Sequence, residues 1–231
     1  MPGPTRPQGL VTSNTLPALE TTLTTKNASD RSGYVFAPAR GADEVLPLLV
    51  ALHGQGGDGH EMVAVFKALA VEHRFAVVAP SSDYTEQLHA FTWTVGDRPN
   101  DFTTDFHHIA ACVAETLART DIRLDTTHVL VAGYSGGGSS APYVASNTPS
   151  YEAFAVLHGG VFIGGIGPRR VPGWFSAGTM DPIRPAQGVM EHAQSLRAAG
   201  FAVTYRSYAS THVVSEQELA ELVEWWFALR S

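Results

Sequence analysis

Between residues 46 and 229, short runs of consecutive apolar residues alternate with stretches whose apolar residues recur every three or four positions. That alternation restricts the chain more than any other feature. A run such as Leu46-Pro47-Leu48-Leu49-Val50-Ala51-Leu52 has no polar face to turn to water, so a strand built from it must be covered on both sides. Residues 75–79, 128–132, 154–157, 174–177 and 202–205 repeat the pattern. Residues 59–73, 103–119, 185–199 and 214–229 carry helical spacing instead, with Phe106, Ile109, Ala110, Val113 and Leu117 along one side of the second. Strands separated by helices connect through right-handed crossovers, which predicts an α/β fold with a mostly parallel central sheet and helices on both faces. The alternation is unbroken, so residues 10–231 are read as a single domain and the Pro/Gly-rich residues 1–9 as a loose N-terminal arm. Ahead of the first buried run, Thr-rich residues 10–40 suit two antiparallel edge strands, with residues 33–37 the best of them.

Several function classes fall away on composition. With 44% hydrophobic and 16% charged residues the chain is too apolar for disorder, and it contains no apolar stretch of about 18 residues to span a membrane. A formal charge of −7 is the wrong sign for a nucleic-acid partner. The single cysteine, Cys112, excludes an internal disulfide and reads as a small buried residue on a helix. The first residues show no charged start followed by an apolar core, hence no signal peptide. The expectation is a cytoplasmic protein, although a mature secreted domain would read the same way.

The chemistry-bearing residues cluster at the ends of the apolar runs. Gly133-Tyr134-Ser135-Gly136-Gly137 follows the run 128–132 directly and matches G-x-S-x-G in its strand–turn–helix context. The turn presents Ser135, its small neighbours let the backbone pass closely, and the helix N-terminus aims free N–H groups at a developing anion. Pro142 is expected to interrupt that helix or make its first turns irregular. His53-Gly54-Gln55-Gly56-Gly57 ends the first buried run, where a loop lines the ligand crevice of an α/β sheet. The N–H of Gln55, paired with that of Gly136, would form an oxyanion hole, with His53 bracing the loop through its ring. A phosphate-binding loop is disfavoured, since neither Lys-Ser/Thr nor G-x-G-x-x-G follows.

A serine nucleophile needs a base and the base needs an orienting acid. His212 lies between the last strand and the last helix, and His158 at the end of the run 154–157 is the alternative base. Asp181 in Gly178-Thr179-Met180-Asp181-Pro182 follows the run 174–177, whereas the competing Asp83 and Asp97 precede the serine. The order Ser135, Asp181, His212 is that of α/β-hydrolases. The adjacent His107 and His108 point in different directions along a helix. No metal-binding spacing and no cofactor motif is present, so none is expected.

On these motifs the chain resembles a small α/β-hydrolase of the group holding polyhydroxybutyrate depolymerases, feruloyl esterases and phospholipase/carboxylesterases, over about residues 46–229. The resemblance implies an α/β-hydrolase fold and a serine esterase, a carboxylic ester hydrolase with Ser135 as nucleophile, His212 as general base and Asp181 as its partner. The chain departs from secreted depolymerases in lacking cysteine pairs. About 15 residues separate the runs ending at Leu157 and starting at Trp174, too few for a lid domain, so Ser135 is expected to be open to soluble or polymer-borne esters. Phe91, Trp93 and Phe102 are candidates to wall an acyl pocket, and Trp93 and His158 are the expected substrate-contacting residues. The alternatives are a serine peptidase or amidase, and a binding module on the same fold. Oligomeric state is not legible.

Overall fold

The computed structural model describes residues 15–96, 102–160 and 165–230. The proposed N-terminal arm and Asp97 therefore lie outside the described residues. In chain order the elements are β1 (Thr15–Leu16), β2 (Leu19–Lys26), β3 (Ser32–Ala37), β4 (Arg40–Gly41), β5 (Val45–Leu52), α1 (Gly59–His73), β6 (Ala76–Ala79), β7 (Tyr84–Thr85) and β8 (Ala90–Phe91). They continue with α2 (Thr104–Leu117), β9 (Arg123–Tyr134), α3 (Gly136–Asn147), β10 (Ala153–Leu157), β11 (Gly173–Gly178), α4 (Ala186–Ala198), β12 (Val203–Tyr208) and α5 (Glu216–Ala228).

Eight strands form one sheet in the order β12-β11-β10-β9-β5-β6-β3-β2. The six from β12 to β6 run parallel, while β3 and β2 are antiparallel additions at the far edge, as the Thr-rich segment predicts. Burial on both faces has a direct cause in the two-residue period of a strand. In β5, Leu48, Val50 and Leu52 enter a core shared with α2, α3 and α4 residues such as Ile109, Val144 and Leu196. Their neighbours Leu49 and Ala51 point to the opposite face, where Met62 and Phe66 of α1 pack with Leu222 and Trp226 of α5. Each continuous apolar run is thus divided between two cores.

Helix starts follow local chemistry. Asp58 caps α1 by accepting from Glu61 N at 2.9 Å, and Ser215 with Glu218 forms a capping box at α5. Pro142 differs from expectation: α3 runs unbroken from Gly136 to Asn147 around it. The proline deletes one backbone hydrogen bond, and burial of nearly the whole helix against the sheet holds the remainder in place. Among the described residues no helix intervenes between β10 and β11, and none is long and apolar enough to cross a membrane.

The registers bring five loops to one edge. Leu52 pairs with Gly133, Tyr134 with Leu157, Leu157 with Ser176 and Gly178 with Tyr208. The segments that follow β5, β9, β10, β11 and β12 therefore emerge side by side at the carboxyl ends of the parallel strands, where ligands of open α/β sheets bind.

Candidate active site

Ser135 occupies the turn between β9 and α3 with φ 51° and ψ −110°, a conformation that L-residues rarely adopt. The turn is possible because of its glycines. A Cβ on Gly133 would stand 2.2 Å from the Gly137 carbonyl carbon, and one on Gly137 would stand 2.3 Å from the Leu52 carbonyl oxygen. The Ser135 N–H donates to the Leu157 carbonyl at 2.8 Å, tying the strained turn to β10.

The hydroxyl of Ser135 faces His212, whose Nε2 is 2.9 Å from Oγ. The other ring nitrogen, Nδ1, lies 2.6 Å from Asp181 Oδ2. The second Asp181 oxygen, Oδ1, accepts the backbone N–H groups of Ile183 and Arg184, each at 2.8 Å. Burial of this carboxyl favours its neutral form, but the N–H of Arg184, His212, His158 and the N–H of Ile183 outweigh it and pull its pKa down to about 2. The acid is thus ionised throughout the useful pH range. Such a chain can draw a proton from the hydroxyl and hold the resulting imidazolium beside a fixed negative charge.

The loop after β5 supplies the opposite wall. An ideal Cβ on Gly136 would lie 3.6 Å from Gln55 N, so the two backbones are neighbours. Neither the Gln55 nor the Gly136 N–H has an acceptor within the protein among the described residues. Both donors remain available for an anion forming near Ser135. His53 fixes the loop: its Nε2 accepts from Ser82 N at 2.9 Å, which leaves Nδ1–H to donate to the Gly54 carbonyl at 2.6 Å. Burial pushes its pKa down to about 4, so the ring stays neutral and serves as a brace.

Two expected substrate contacts are enclosed instead. Trp93 is 1% exposed, packs against His53 with ring centroids 4.9 Å apart and the planes tilted by 45°, and donates its indole N–H to the His53 carbonyl at 2.8 Å, beneath the loop rather than in the crevice. His158 is fully buried, with Nδ1 3.0 Å from Asp181 Oδ2 and Nε2 3.3 Å from Glu218 Oε2. Large aromatic and imidazole rings that are closed off in this way support the site without touching a ligand. Phe91 and Phe102 are likewise engaged elsewhere, under Arg31 and stacked on Phe106. Asp83, the rival acid, accepts from Ser29 N at 2.7 Å.

Sequence reasoning missed three contributors. Tyr134 donates its hydroxyl to the His212 carbonyl at 2.6 Å and so holds that loop. Glu218 doubles as capping-box residue and partner of His158, and also accepts from the Ser176 hydroxyl. The Ser215-x-x-Glu218 spacing is a sequence signal for the cap, but nothing in it points to the histidine. Arg184 lines a cavity of about 400 Å³ together with Ser135, Gln55 and His212.

One cluster of metal-ligand types arises that linear spacing does not reveal. The sequence shows no ligand spacing, yet the fold gathers His158, Asp181 and His212 with donor atoms within 4.8 Å of one another. Their geometry is that of hydrogen bonds: one oxygen, Asp181 Oδ2, serves both imidazoles at 2.6 and 3.0 Å. An ion bound at about 2.0–2.1 Å from each ligand would have to force these atoms apart.

Cys112 is fully buried, as read from the sequence, and burial pushes its thiol up to about 12. Native protein is expected to resist iodoacetamide at pH 8 and to take up one equivalent when unfolded in urea. Rapid labelling of the native chain, followed by mass spectrometry, would contradict that placement.

Residues 32–223 match the Esterase PHB depolymerase family. Among solved structures, esterase PE8 superimposes with a TM-score of 0.64 at 17% identity, over 92% of this chain and 99% of that one. The Bacillus cereus carboxylesterase gives 0.62 at 20% identity, over 87% and 95%. The phospholipase/carboxylesterase from Dyadobacter fermentans DSM 18053 gives 0.58 at 19% identity, over 88% and 99%. At these identities the likeness establishes the α/β-hydrolase fold. No curated protein matches the sequence.

Proposed function

The chain belongs to the Esterase PHB depolymerase family, and from that premise we propose that it is a serine carboxylic-ester hydrolase working through an acyl-enzyme. The observation that carries the proposal is the unbroken line from Ser135 Oγ through His212 to Asp181 Oδ2, at 2.9 and 2.6 Å. Ser135 attacks the ester carbonyl while His212 Nε2 takes its proton. The N–H groups of Gln55 and Gly136 receive the oxyanion, a pairing in which each donor is worth about 3 kcal/mol of barrier. His212 then protonates the departing alkoxide, and water enters to release the acid by the reverse proton path. Asp181 keeps the imidazole in the Nδ1–H tautomer and offsets its charge.

The absence of a helical lid over the described part of the crevice favours soluble esters, or an ester protruding from a polymer. The test is hydrolysis of p-nitrophenyl acetate and butyrate, before and after a serine-directed organophosphate. One phosphoryl group on Ser135 and complete loss of rate are expected. Turnover without labelling of Ser135 would reject the serine mechanism, and ester-to-anilide rate ratios near one would favour an amidase. Because His158, Asp181 and His212 are joined by protons rather than spaced for an ion, EDTA is expected to leave the rate unchanged. A rate that EDTA abolishes and zinc restores would replace the triad by a metal-bound hydroxide.

A further inference from the structure

Among the described residues, the lysines and arginines are almost all spoken for. Both described lysines are ion-paired, Lys26 with Asp30 and Lys67 with Glu20. Arg74, Arg119, Arg123, Arg206 and Arg230 pair with carboxylates. The remaining arginines donate to backbone carbonyls, as Arg31 does to Gly57 and Arg169 to Ala145. Among the described lysines and arginines, Arg184 alone has a side chain with no hydrogen bond, ion pair or ring contact, and its Nε is buried without a partner.

This exception stands in the crevice of Ser135. The same cavity of about 400 Å³ is lined by Gln55, Ser135, Arg184 and His212, and no lining residue carries a carboxyl group. The base of the side chain is fixed, since the Arg184 N–H donates to Asp181 Oδ1 at 2.8 Å. The stem packs so tightly on Gly160 that a Cβ there would stand 2.3 Å from Arg184 Cδ. The guanidinium is therefore held at the crevice by its backbone and stem, while its donors are left unused. Other arginines that lack a carboxylate partner are satisfied by backbone carbonyls, and Arg184 has neither. Buried donors without a partner are costly unless a ligand satisfies them, and the guanidinium fork matches a carboxylate in shape and charge.

We propose that Arg184 anchors a carboxylate on the substrate, making the preferred esters ones whose acyl or alcohol part carries a free carboxylate. The proposal rests on the esterase reading of the same site. It implies that a neutral ester binds without using the strongest polar group in the crevice. The carboxylate gains orientation as well as charge, because two parallel N–H···O bonds fix its plane relative to Ser135.

Carboxylate and carboxamide isosteres separate the charge from size. On the acyl side the pair is monoethyl adipate and its half-amide, and on the alcohol side 4-acetoxybenzoate and 4-acetoxybenzamide. In one pair kcat/KM is expected to favour the carboxylate at least about tenfold, mainly through KM, and the favoured pair identifies which part of the ester faces Arg184. In Arg184→Gln the ratio is expected to fall to near one, and Arg184→Lys is expected to keep part of it. Because the ratio is taken within each variant, a general loss of rate does not affect it. Ratios near one for both pairs in the unmodified enzyme, or a preference that survives Arg184→Gln, would overturn the proposal while leaving the esterase reading standing. If no ester is turned over, the esterase reading fails. Calorimetric binding of the same pairs to Ser135→Ala then decides the role of Arg184 by itself: tighter binding of a carboxylate, lost in the Arg184→Gln double variant, upholds it, and equal binding rejects it.

Discussion

Ser135→Ala is expected to lower kcat/KM for a soluble ester by roughly 10⁴- to 10⁶-fold, the range seen when a triad nucleophile is removed. The Ser135 side chain has one hydrogen-bond partner, the imidazole of His212, so alanine removes the reacting atom and one contact. Its φ of 51° is as strained for alanine as for serine, so the fold and melting temperature are expected to change little. His212→Ala is expected to cost a similar factor, because a serine hydroxyl without a base is a weak nucleophile. Asp181→Asn is expected to cost less but still a large factor, through loss of the charge that orients the ring. The double variant Ser135→Ala/His212→Ala should be no worse than either single one, since residues acting as one unit lose their effect together. Steady-state rates with circular dichroism on the same samples check this. A folded Ser135→Ala protein that keeps a tenth of the rate would remove Ser135 from the mechanism.

His158→Ala is expected to have a large effect on stability, about 3–5 kcal/mol. The ring stands between the carboxyl groups of Asp181 and Glu218, and all three side chains are closed to solvent. Burial alone would lower the His158 pKa, but hydrogen bonds to Glu218 and Asp181 outweigh it and raise it, favouring the imidazolium. Removing that ring leaves an ionised Asp181 and a second buried carboxyl group facing each other without a cation. His158→Gln can donate to only one of them and should fall between alanine and the native residue. The pH dependence has two sides. The His158 contribution is fully present below its unfolded value of about 6.5 and is lost as pH rises through its raised folded value. The Asp181 contribution is present above about 3.9 and is lost as pH falls toward about 2. Urea unfolding from pH 4 to 9 should therefore show an alkaline decline that His158→Gln flattens. An unfolding free energy of His158→Ala within 1 kcal/mol of the native protein at pH 6 would dismiss the ion cluster as a stabilising element.

Local periodicity was enough for the architecture. Residues 46–52 and 128–132 are apolar at every or nearly every position, and a strand so composed has to be interior whatever its partners are. The same holds for Ser135, because the strand, the glycines and the helix that create its turn are contiguous in the chain. That Asp181 and His212 stand in line with Ser135 followed from chain order, since loops after successive parallel strands return to one edge. The limits appear where a side chain had to choose a direction. Trp93 read as a crevice residue because it lies in the segment after the second buried run, and His158 because it ends the run 154–157, yet one turns beneath the loop of His53 and the other turns inward to Glu218, 60 residues away. Pro142 read as a break in α3, and the packing of that helix overrode it. The solitude of Arg184 is visible only when every other described lysine and arginine has found its partner, many of them far away in sequence, as with Arg123 and Asp43. Sequence period determines which elements form and which faces they bury. Which polar side chains meet at the sheet edge depends on strand register and loop path, which the chain acquires only when the two cores close.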